Sequence, residues 1–256
     1  MKKDLITVII HTRNEEKNIA ECITAAQKLT ENIVVIDMES TDETVAIVVG
    51  LHIPVFTFPF SNYVEPARGY GIEMAQSEWV MIIDADERMT DQLTDEINKT
   101  IRSGTATHFK IPRNNYFAGF KLLRHGGWYP DYVIRLIKKD SFEFWPEEIH
   151  STPRIKDEMG YLTQPLHHYF HPNLTEMVQK TALFESIESE LLFKAKKNVS
   201  TRIFFRKYFG ELNRRLIMKL GFLDGAPGVI ESLYQAYSKT ITYIFLYEKY
   251  KKSRSL

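Results

Sequence analysis

The sequence has little of several features that mark common classes of protein. It contains one cysteine in 256 residues, so an intramolecular disulfide is excluded, as in chains that work in a reducing compartment. No apolar run reaches the ~18 residues that a membrane-spanning helix needs. The apolar run at residues 5–10 is also too short for the core of a signal peptide. We therefore expect a cytoplasmic protein.

Charge excess and several catalytic motifs are absent too. The chain has 33 basic and 33 acidic residues, so it lacks the cationic excess of a general nucleic-acid binder. It has no Gly-rich phosphate loop, no Gly-x-Ser-x-Gly and no His-Glu-x-x-His, so phosphate-loop NTPases, esterases and zinc proteases lack support. Cys22 falls on the apolar face of a predicted helix, which indicates a packed thiol rather than a nucleophile.

The first third of the chain alternates short apolar runs with segments of helical length. The runs cover residues 5–10, 33–37, 54–58 and 79–83. This alternation predicts parallel strands joined by helical crossovers, and the nearly continuous apolar runs predict helices on both faces of the sheet.

The remainder of the chain has a different pattern. Residues 106–170 contain short strand-like pieces without helical periodicity, and helices are predicted near 174–196, 201–220 and 228–250. We expect an α/β fold with a mixed, mainly parallel sheet flanked by helices, followed by a C-terminal helical extension.

A predicted strand over residues 79–83 ends in Asp84-Ala85-Asp86-Glu87. Ligands of parallel sheets bind at the carboxyl ends of the strands. Two carboxylates at such an end are the hard oxygen ligands that Mg²⁺ or Mn²⁺ prefers, shared with the oxygens of a diphosphate. The alternative is a solvated acidic turn that caps the next helix.

Polar residues also follow the first two predicted strands. They are Thr12, Arg13, Asn14 and Glu15 after the first strand, and Asp37 after the second. Asp37 would accept a hydrogen bond from a base or a ribose, whereas Thr12 or Asn14 would equally serve as a helix cap. Ser40 or Thr41 is the expected cap of the following helix. Arg13 and Arg68 either meet a nucleotide through the planar guanidinium or form surface ion pairs.

A second cluster of candidates lies in residues 113–150. Trp128 and Tyr129 have flat faces of the kind on which sugars stack, and Asp131 is a carboxylate directly after a proline. An ordinary aromatic hairpin is the alternative. Glu147 and Glu148 lie just before His150. The nearby histidines His167, His168 and His171 match no closed zinc site.

Several blocks, in order, resemble family 2 glycosyltransferases of the GT-A fold. These blocks are Thr7-Val8-Ile9-Ile10 with Thr12-Arg13-Asn14-Glu15, Val34-Val35-Ile36-Asp37 with Ser40-Thr41-Asp42-Glu43-Thr44, Ala67-Arg68, and Trp79-Val80 with Asp84-Ala85-Asp86-Glu87-Arg88. A further set resembles the branch that contains lipopolysaccharide core β-1,4-glucosyltransferases. That set is Arg124-His125-Gly126-Gly127-Trp128-Tyr129-Pro130-Asp131, His150 and Gly221-Phe222-Leu223-Asp224-Gly225.

The resemblance implies a GT-A catalytic domain over residues 1–172, with a nucleotide-sugar-binding half (1–105) and an acceptor half (106–172). The helical region 173–256 follows. The implied donor is a nucleotide diphosphate sugar resembling UDP-glucose, and the implied donor-binding residues are Thr12, Arg13, Asn14, Glu15, Asp37, Arg68, Asp84 and Ala85. Asp86 would bind Mg²⁺ or Mn²⁺.

On the acceptor side, the resemblance implies direct displacement with inversion, assisted by a carboxylate base. Asp131 is the expected base, with Glu147 or Glu148 as alternatives. His150 is expected to be a further metal ligand, with His168 as the second choice. Trp128, Tyr129 and Glu148 are expected to bind the acceptor, a saccharide or glycolipid of the bacterial envelope.

The sequence argues against one other function and leaves two open. A nucleotidyltransferase would need a Gly-rich loop after the first strand, which Thr12-Arg13-Asn14-Glu15 is not. A polyprenyl-phosphate sugar synthase and a non-catalytic nucleotide-sugar or glycan-binding protein of the same fold both remain open.

The segment 202–219 has its own charge pattern. It carries six basic residues against one acidic residue, interleaved with apolar and aromatic ones. Two interpretations remain open: a helix packed on the core with a solvated basic face, or a helix that lies on an anionic membrane surface.

Overall fold

The computed structural model describes residues 5–103, 106–170 and 173–254. Its first third alternates strands and helices as predicted. The strands are β1 (Ile6–Thr12), β2 (Ile33–Asp37), β3 (Val55–Thr57) and β4 (Trp79–Asp84), and the helices are α1 (Ile19–Gln27), α2 (Thr44–Gly50) and α3 (Glu65–Met74). The four strands pair in parallel in the order β3-β2-β1-β4, which confirms the predicted crossover pattern.

Later strands extend this sheet and make it mixed. They are β5 (Glu87–Arg88), β6 (His108–Phe117), β7 (Lys121–Leu122), β8 (Asp131–Lys138), β11 (Met159–Tyr161) and β12 (Leu166–His168), with helix α4 (Asp91–Ser103) between β5 and β6. The order is β3-β2-β1-β4-β8-β6-β12-β5, and β8 is antiparallel to both β4 and β6. Strands β9 (Phe142–Phe144) and β10 (Arg154–Ile155) form a separate antiparallel pair. The predicted α/β class with a mixed sheet is confirmed.

The core lies on both faces of the sheet. Because side chains alternate along a strand, Val8 and Ile10 of β1 pack on one face with Ile23 of α1, and Ile9 packs on the other with Ile72 of α3. All five side chains are buried. Coverage of both faces is the reason that these strands read as continuous apolar runs.

The C-terminal region is helical, as predicted, with one difference. It contains α5 (Leu174–Lys194), α6 (Thr201–Leu212), a π-helix at Asn213–Met218, a 3₁₀ helix at Gly221–Asp224 and α7 (Gly225–Arg254). The helix predicted over 201–220 therefore widens to π geometry after Leu212. Periodicity does not reveal this change, because the apolar spacing near i, i+4 suits both geometries. Among the described residues, no helix combines the length and the apolar character that crossing a bilayer requires.

Contacts divide the chain into two compact units. The first comprises Met1–Arg113 and Asp131–His168, and the second comprises Asn114–Pro130 and Tyr169–Leu256. The domain boundary expected at residue 172 stays a prediction.

Candidate active site

The carboxyl ends of the parallel strands bring the candidate donor residues together. Thr12 at the end of β1 is in register with Asp37 at the end of β2, and His11 is in register with Asp84 at the end of β4. The geometry expected for ligand sites in parallel sheets is therefore present. The Thr12 hydroxyl is buried and has no hydrogen-bond partner among the described residues.

The Asp37 carboxylate closes the turn that follows β2. Its Oδ2 accepts a hydrogen bond from the Ser40 backbone N–H at 3.0 Å, and its Oδ1 accepts one from the Ser40 hydroxyl at 2.5 Å. The expectation that Ser40 or Thr41 caps the next helix is wrong, because α2 begins at Thr44 with Glu43 before it. Ser40 instead holds the buried Asp37 carboxylate in place.

The residues after β1 hold this same turn. The Arg13 guanidinium donates to the carbonyls of Met38 and Glu39, at 2.5 and 2.9 Å, and lies 3.7 Å from the Phe60 ring centroid. The Asn14 side chain accepts a hydrogen bond from the Thr41 backbone at 2.7 Å. Arg13 thus makes backbone and ring contacts rather than the surface ion pair that was its alternative.

Glu15 has a related position at the start of the next segment. Its backbone N–H donates to the Thr44 hydroxyl at 2.8 Å, and its carboxylate accepts from the Asn18 side chain at 2.7 Å. These contacts fix the loop after β1 against the N-terminus of α2. The roles of Arg13, Asn14 and Glu15 toward a donor stay predictions.

A network of alternating charges lies within the first unit. Asp84 accepts from the guanidinium of Arg68 at 2.7 Å and from that of Arg135 at 2.6 Å. Arg135 also donates to Glu87 at 2.7 Å, and Glu87 accepts from Arg113 at 3.2 Å. Arg68 therefore forms a buried ion pair rather than a surface one.

The network ends at the predicted base. Arg113 donates to Oδ2 of Asp131 through Nε at 2.9 Å and through Nη2 at 2.6 Å. This contact follows from strand pairing, since Arg113 of β6 lies opposite Asp131, the first residue of β8. Three arginines and three carboxylates thus connect the end of β4 to Asp131.

Burial and these ion pairs set the charge states of the network. Burial by itself raises the pKa of the Asp84 carboxyl, but the guanidiniums of Arg135 and Arg68 outweigh it and hold that pKa well below its usual value. Asp84 is therefore ionised. Burial and the adjacent Arg68 lower the pKa of His11 to about 3, so its imidazole is neutral at pH 7.

Close approach of helix α3 makes this cluster possible. Arg68 extends from α3 toward His11, whose ring also lies 3.2 Å from the Ala67 carbonyl. A Cβ at Gly71 would lie 2.9 Å from both the His11 ring and the Ile9 side chain. Only glycine at position 71 lets the helix pack this closely on β1.

Asp86 lies beside a histidine. Its Oδ2 is 3.5 Å from Nε2 of His168, and both side chains are mostly shielded from solvent. The intervening Ala85 is buried, and its N–H donates to the His11 carbonyl at 3.2 Å. His168, the second choice from the sequence, is thus the histidine that the fold brings to Asp86.

The Asp86 and His168 pair fits a divalent cation that also takes substrate ligands. In the described residues, no group of three or more His, Cys, Asp and Glu side chains converges on one point. Magnesium sites commonly use one or two protein carboxylates together with substrate phosphates, so the Asp86 carboxylate suffices as a protein ligand for this type of site. The assignment of Asp86 to a metal stays a prediction.

His150 and Glu148 lie in an exposed bend and turn. The His150 backbone has φ +60°, and its N–H donates to the Glu65 carboxylate at 2.8 Å. Within the described part of the chain, no contact joins the His150 ring to Asp86. The Glu148 side chain is exposed as well. His171 lies outside the described residues.

Trp128 and Tyr129 belong to the second unit. The Trp128 ring stacks on Phe170 with centroids 4.9 Å apart, and the Arg215 guanidinium lies 5.3 Å from its centroid. Trp128 is thus engaged in packing, whereas Tyr129 is 44% exposed. Their roles toward an acceptor stay predictions.

Asp224 joins two sequence blocks of the second unit. Its Oδ2 accepts the backbone N–H groups of Arg124 and His125, at 2.9 and 2.8 Å, and its Oδ1 is 2.8 Å from Nδ1 of His125. The block at 221–225 therefore anchors the start of the block at 124–131, because the buried Asp224 carboxylate accepts three hydrogen bonds from Arg124 and His125.

Three network residues were not among the sequence candidates: Glu87, Arg113 and Arg135. Glu87 is fully buried, and its Oε2 also accepts the Asp84 backbone N–H at 3.0 Å. Its place in the acidic run after β4 was the only available signal. No local pattern distinguishes Arg113 or Arg135 from solvated arginines on alternating strands.

The fold and its strand-end acids agree with the glycosyltransferase class that the sequence resemblance implied. The family model for glycosyl transferase family 2 matches residues 7–173, about two thirds of the chain. The chain therefore belongs to this family, as its sequence resemblance indicated.

Individual relatives agree with the family. An uncharacterized glycosyltransferase of Rickettsia typhi is 26% identical over 268 residues, covering 100% of this chain and 90% of the relative. The lipopolysaccharide core biosynthesis glycosyltransferase LpsC of Rhizobium meliloti is 29% identical over 146 residues, covering 52% of this chain and 51% of LpsC.

A solved structure confirms the fold. Glucosyl-3-phosphoglycerate synthase from Mycobacterium tuberculosis, in complex with Mn²⁺, uridine-diphosphate-glucose and phosphoglyceric acid, has a TM-score of 0.51 and 15% sequence identity. The match covers 78% of this chain and 82% of the synthase. The expected GT-A fold is confirmed, and the protein is a glycosyltransferase.

Proposed function

We propose that this glycosyltransferase moves a hexose, with inversion, from a UDP-glucose-like donor onto a saccharide of the bacterial envelope such as lipopolysaccharide core. The observation that carries the proposal is the charged network of the first unit, which links the strand-end carboxylate Asp84 to Asp131 through Arg135, Glu87 and Arg113. Such a series of ion pairs holds two carboxylates in fixed positions, as a transferase with a donor site and a catalytic base requires.

In this proposal, the nucleoside of the donor binds at the carboxyl ends of β1, β2 and β4. The buried Thr12 hydroxyl lacks a partner among the described residues, and so does Nε1 of Trp145, whose ring lies 5.6 Å from the Arg68 guanidinium. Buried polar atoms without partners usually serve a ligand or an ordered water. Asp37 and Asp84 present carboxylates at this same edge, where a base or ribose would donate to them.

Asp86 is the proposed protein ligand of Mg²⁺ or Mn²⁺. His168 lies beside it, and His150 is the other histidine ligand that the sequence suggested. A bound cation neutralises the negative charge that develops on the leaving diphosphate. Asp86 would hold the cation to which the donor's diphosphate binds, and the adjacent Asp84 stays ionised through Arg68 and Arg135. The mycobacterial synthase, which binds Mn²⁺ together with uridine-diphosphate-glucose in its crystal structure, supports this assignment.

On the acceptor side, Asp131 takes the proton of the attacking hydroxyl. Arg113 fixes this carboxylate through two hydrogen bonds to Oδ2, which restricts its rotation. Trp128, Tyr129 and Glu148 are proposed to bind the acceptor. The similarity to LpsC, named for lipopolysaccharide core biosynthesis, supports an envelope glycan as acceptor.

The proposal is tested with Asp86→Ala. Transfer from a panel of UDP-, GDP-, ADP- and dTDP-sugars is measured with Mn²⁺ and with EDTA, beside donor binding by calorimetry. We expect transfer by the parental protein to need the cation and Asp86→Ala to be inactive yet folded. Asp91→Ala is the matched control, since the Asp91 side chain is 75% exposed and pairs with Lys28 at 2.8 Å.

The outcomes separate the alternatives. Parental transfer by Asp86→Ala in EDTA would overturn the metal assignment. Donor binding without turnover on any acceptor would indicate a non-catalytic binding protein. Transfer only to a polyprenyl phosphate would indicate a lipid-phosphate sugar synthase.

A further inference from the structure

Helix α6 and the π-helix after it expose two adjacent rows of side chains. In each turn of four residues, two are exposed and two are partly buried. The first exposed row is Thr201, Phe205, Phe209, Asn213 and Ile217. The second exposed row is Arg202, Arg206, Gly210, Arg214 and Met218. We refer to these ten residues as the α6 outer face.

The first row is apolar at three of its five positions. Phe205, Phe209 and Ile217 are 62%, 59% and 54% exposed, and the two phenylalanine rings stack with centroids 6.4 Å apart. The second row carries three arginines and ends in Met218, which is 70% exposed. The outer face thus has an apolar edge directly beside a basic edge.

The other two residues of each turn are partly buried, and they include the remaining apolar side chains of the helix. Phe204 meets Tyr247 of α7 at 6.3 Å between ring centroids, and the Lys207 ammonium lies 4.7 Å from the Tyr243 ring. The broad apolar stripe seen in the sequence is therefore two separate faces. One packs on α7, and the phenylalanines of the other are left in solvent.

Further apolar side chains are exposed in the segment that follows the π-helix. Leu220, Phe222 and Leu223 are 45%, 46% and 55% exposed, and the exposed Lys219 precedes them. Single exposed apolar side chains are ordinary, but a row of this length beside arginines is the composition of a helix that lies on a membrane.

The charge of the outer face favours an anionic lipid surface over a second copy of the chain. In the described structure, neither Arg202 nor Arg206 forms an ion pair, whereas Arg214 meets Glu211 at 2.5 Å. Two copies packed through these faces would bring arginines of like charge together. A bilayer instead offers lipid phosphates to the arginines and an acyl boundary to the phenylalanines.

We propose that the α6 outer face, with Leu220, Phe222 and Leu223, binds the surface of an anionic bilayer. This surface adds a lipid partner to the proposed function, because a lipid-anchored acceptor would then lie on the same membrane as the enzyme. The proposal concerns binding alone and does not depend on donor, metal or base.

The test is vesicle co-sedimentation of the full chain without nucleotide sugar. Vesicles of phosphatidylcholine alone are compared with vesicles that contain about one third phosphatidylglycerol, at low and high salt. We expect binding only to the anionic vesicles and its loss in salt, because screening weakens the attraction. Each arginine near such a surface strengthens binding by about fivefold, so Arg202→Gln/Arg206→Gln should weaken it by about 30-fold.

Matched controls separate this face from general charge and exposure. Phe205→Ser/Phe209→Ser should also abolish binding, whereas Lys17→Gln/Lys121→Gln and Phe120→Ser, all at exposed positions, should keep it. Far-ultraviolet circular dichroism and sugar transfer to a soluble acceptor verify that the variants are folded. Equal recovery of all proteins in the supernatant would overturn the proposal, as would a phenylalanine variant that changes only the oligomeric state in sedimentation velocity.

Discussion

Replacement of Glu87 by glutamine tests the charged network most directly. The Glu87 carboxylate is fully buried and accepts hydrogen bonds from the Asp84 backbone, Arg113 and Arg135, at 3.0, 3.2 and 2.7 Å. Glutamine has nearly the same volume, so the packing is retained. It removes the negative charge and turns an amide N–H₂ toward groups that are themselves donors.

The expected cost follows from leaving buried guanidiniums without their partner. Arg135 is 4% exposed and bridges Asp84 and Glu87, so the loss of one carboxylate leaves a buried positive charge only partly compensated. Breaking a buried ion pair by removing one partner typically costs about 3–5 kcal/mol. That is a large part of the ~5–15 kcal/mol that stabilises a typical domain.

The measurement is urea unfolding at pH 7, with the free energy of unfolding extrapolated to water. Glu21→Gln is the matched control, since Glu21 is 80% exposed and only approaches Arg88 at 3.5 Å, so its loss should change stability by less than about 0.5 kcal/mol. Glu87→Gln/Arg113→Met should cost less than the sum of its single changes, because it restores the balance of charges. A cost below about 1 kcal/mol for Glu87→Gln would refute the reasoning.

Three further predictions concern the base and the helical region. Asp131→Asn should lower kcat by about 10²–10⁴-fold with donor affinity in calorimetry unchanged, and parental kcat would remove Asp131 as the base. Burial raises the pKa of Glu231 to about 7, so the protein should be most stable below about pH 4.5 with respect to this group and lose on the order of 3 kcal/mol as pH rises through 7. Glu231→Gln should abolish that decline in urea titrations between pH 5 and 8, and an unchanged decline would contradict it. Gly228→Ala should destabilise by more than about 3 kcal/mol in thermal unfolding, because its Cβ would lie 2.0 Å from the Gly221 carbonyl oxygen. Gly210→Ala, with no atom within 4 Å, should be neutral or stabilising by up to about 1 kcal/mol, and equal effects of the two changes would contradict the steric argument.

The local pattern of apolar residues was sufficient to predict the secondary-structure elements and the fold class. Apolar runs of strand length between helical segments predicted β1, β2 and β4 close to their observed bounds, since burial on both faces demands continuous apolar residues. The same pattern placed Asp37 and Asp84 at strand ends, so their position at one edge of the sheet followed from the parallel order alone. The family resemblance rested on these strand-end residues as well.

Side-chain partners were decided only by the tertiary structure. Arg68, Arg113 and Arg135 come from a helix and two antiparallel strands, and nothing in their neighbours along the chain predicts that they pair with Asp84, Glu87 and Asp131. A sequence shows which side chains are charged, but whether burial forces two charges into contact depends on long-range strand pairing. His168 beside Asp86 is a case of the same kind, because β12 reaches that edge through its pairing with β5.

In the helical region, too, the sequence predicted the element but not which of its apolar side chains are buried. The amphipathic pattern over 201–220 predicted a helix correctly in kind, but it did not separate Phe204, which meets Tyr247, from Phe205, which is 62% exposed. Neighbouring residues on a helix differ by about 100° in direction, so a broad stripe fits several orientations. Only the packing of α6 on α7 selects which of these phenylalanines is buried.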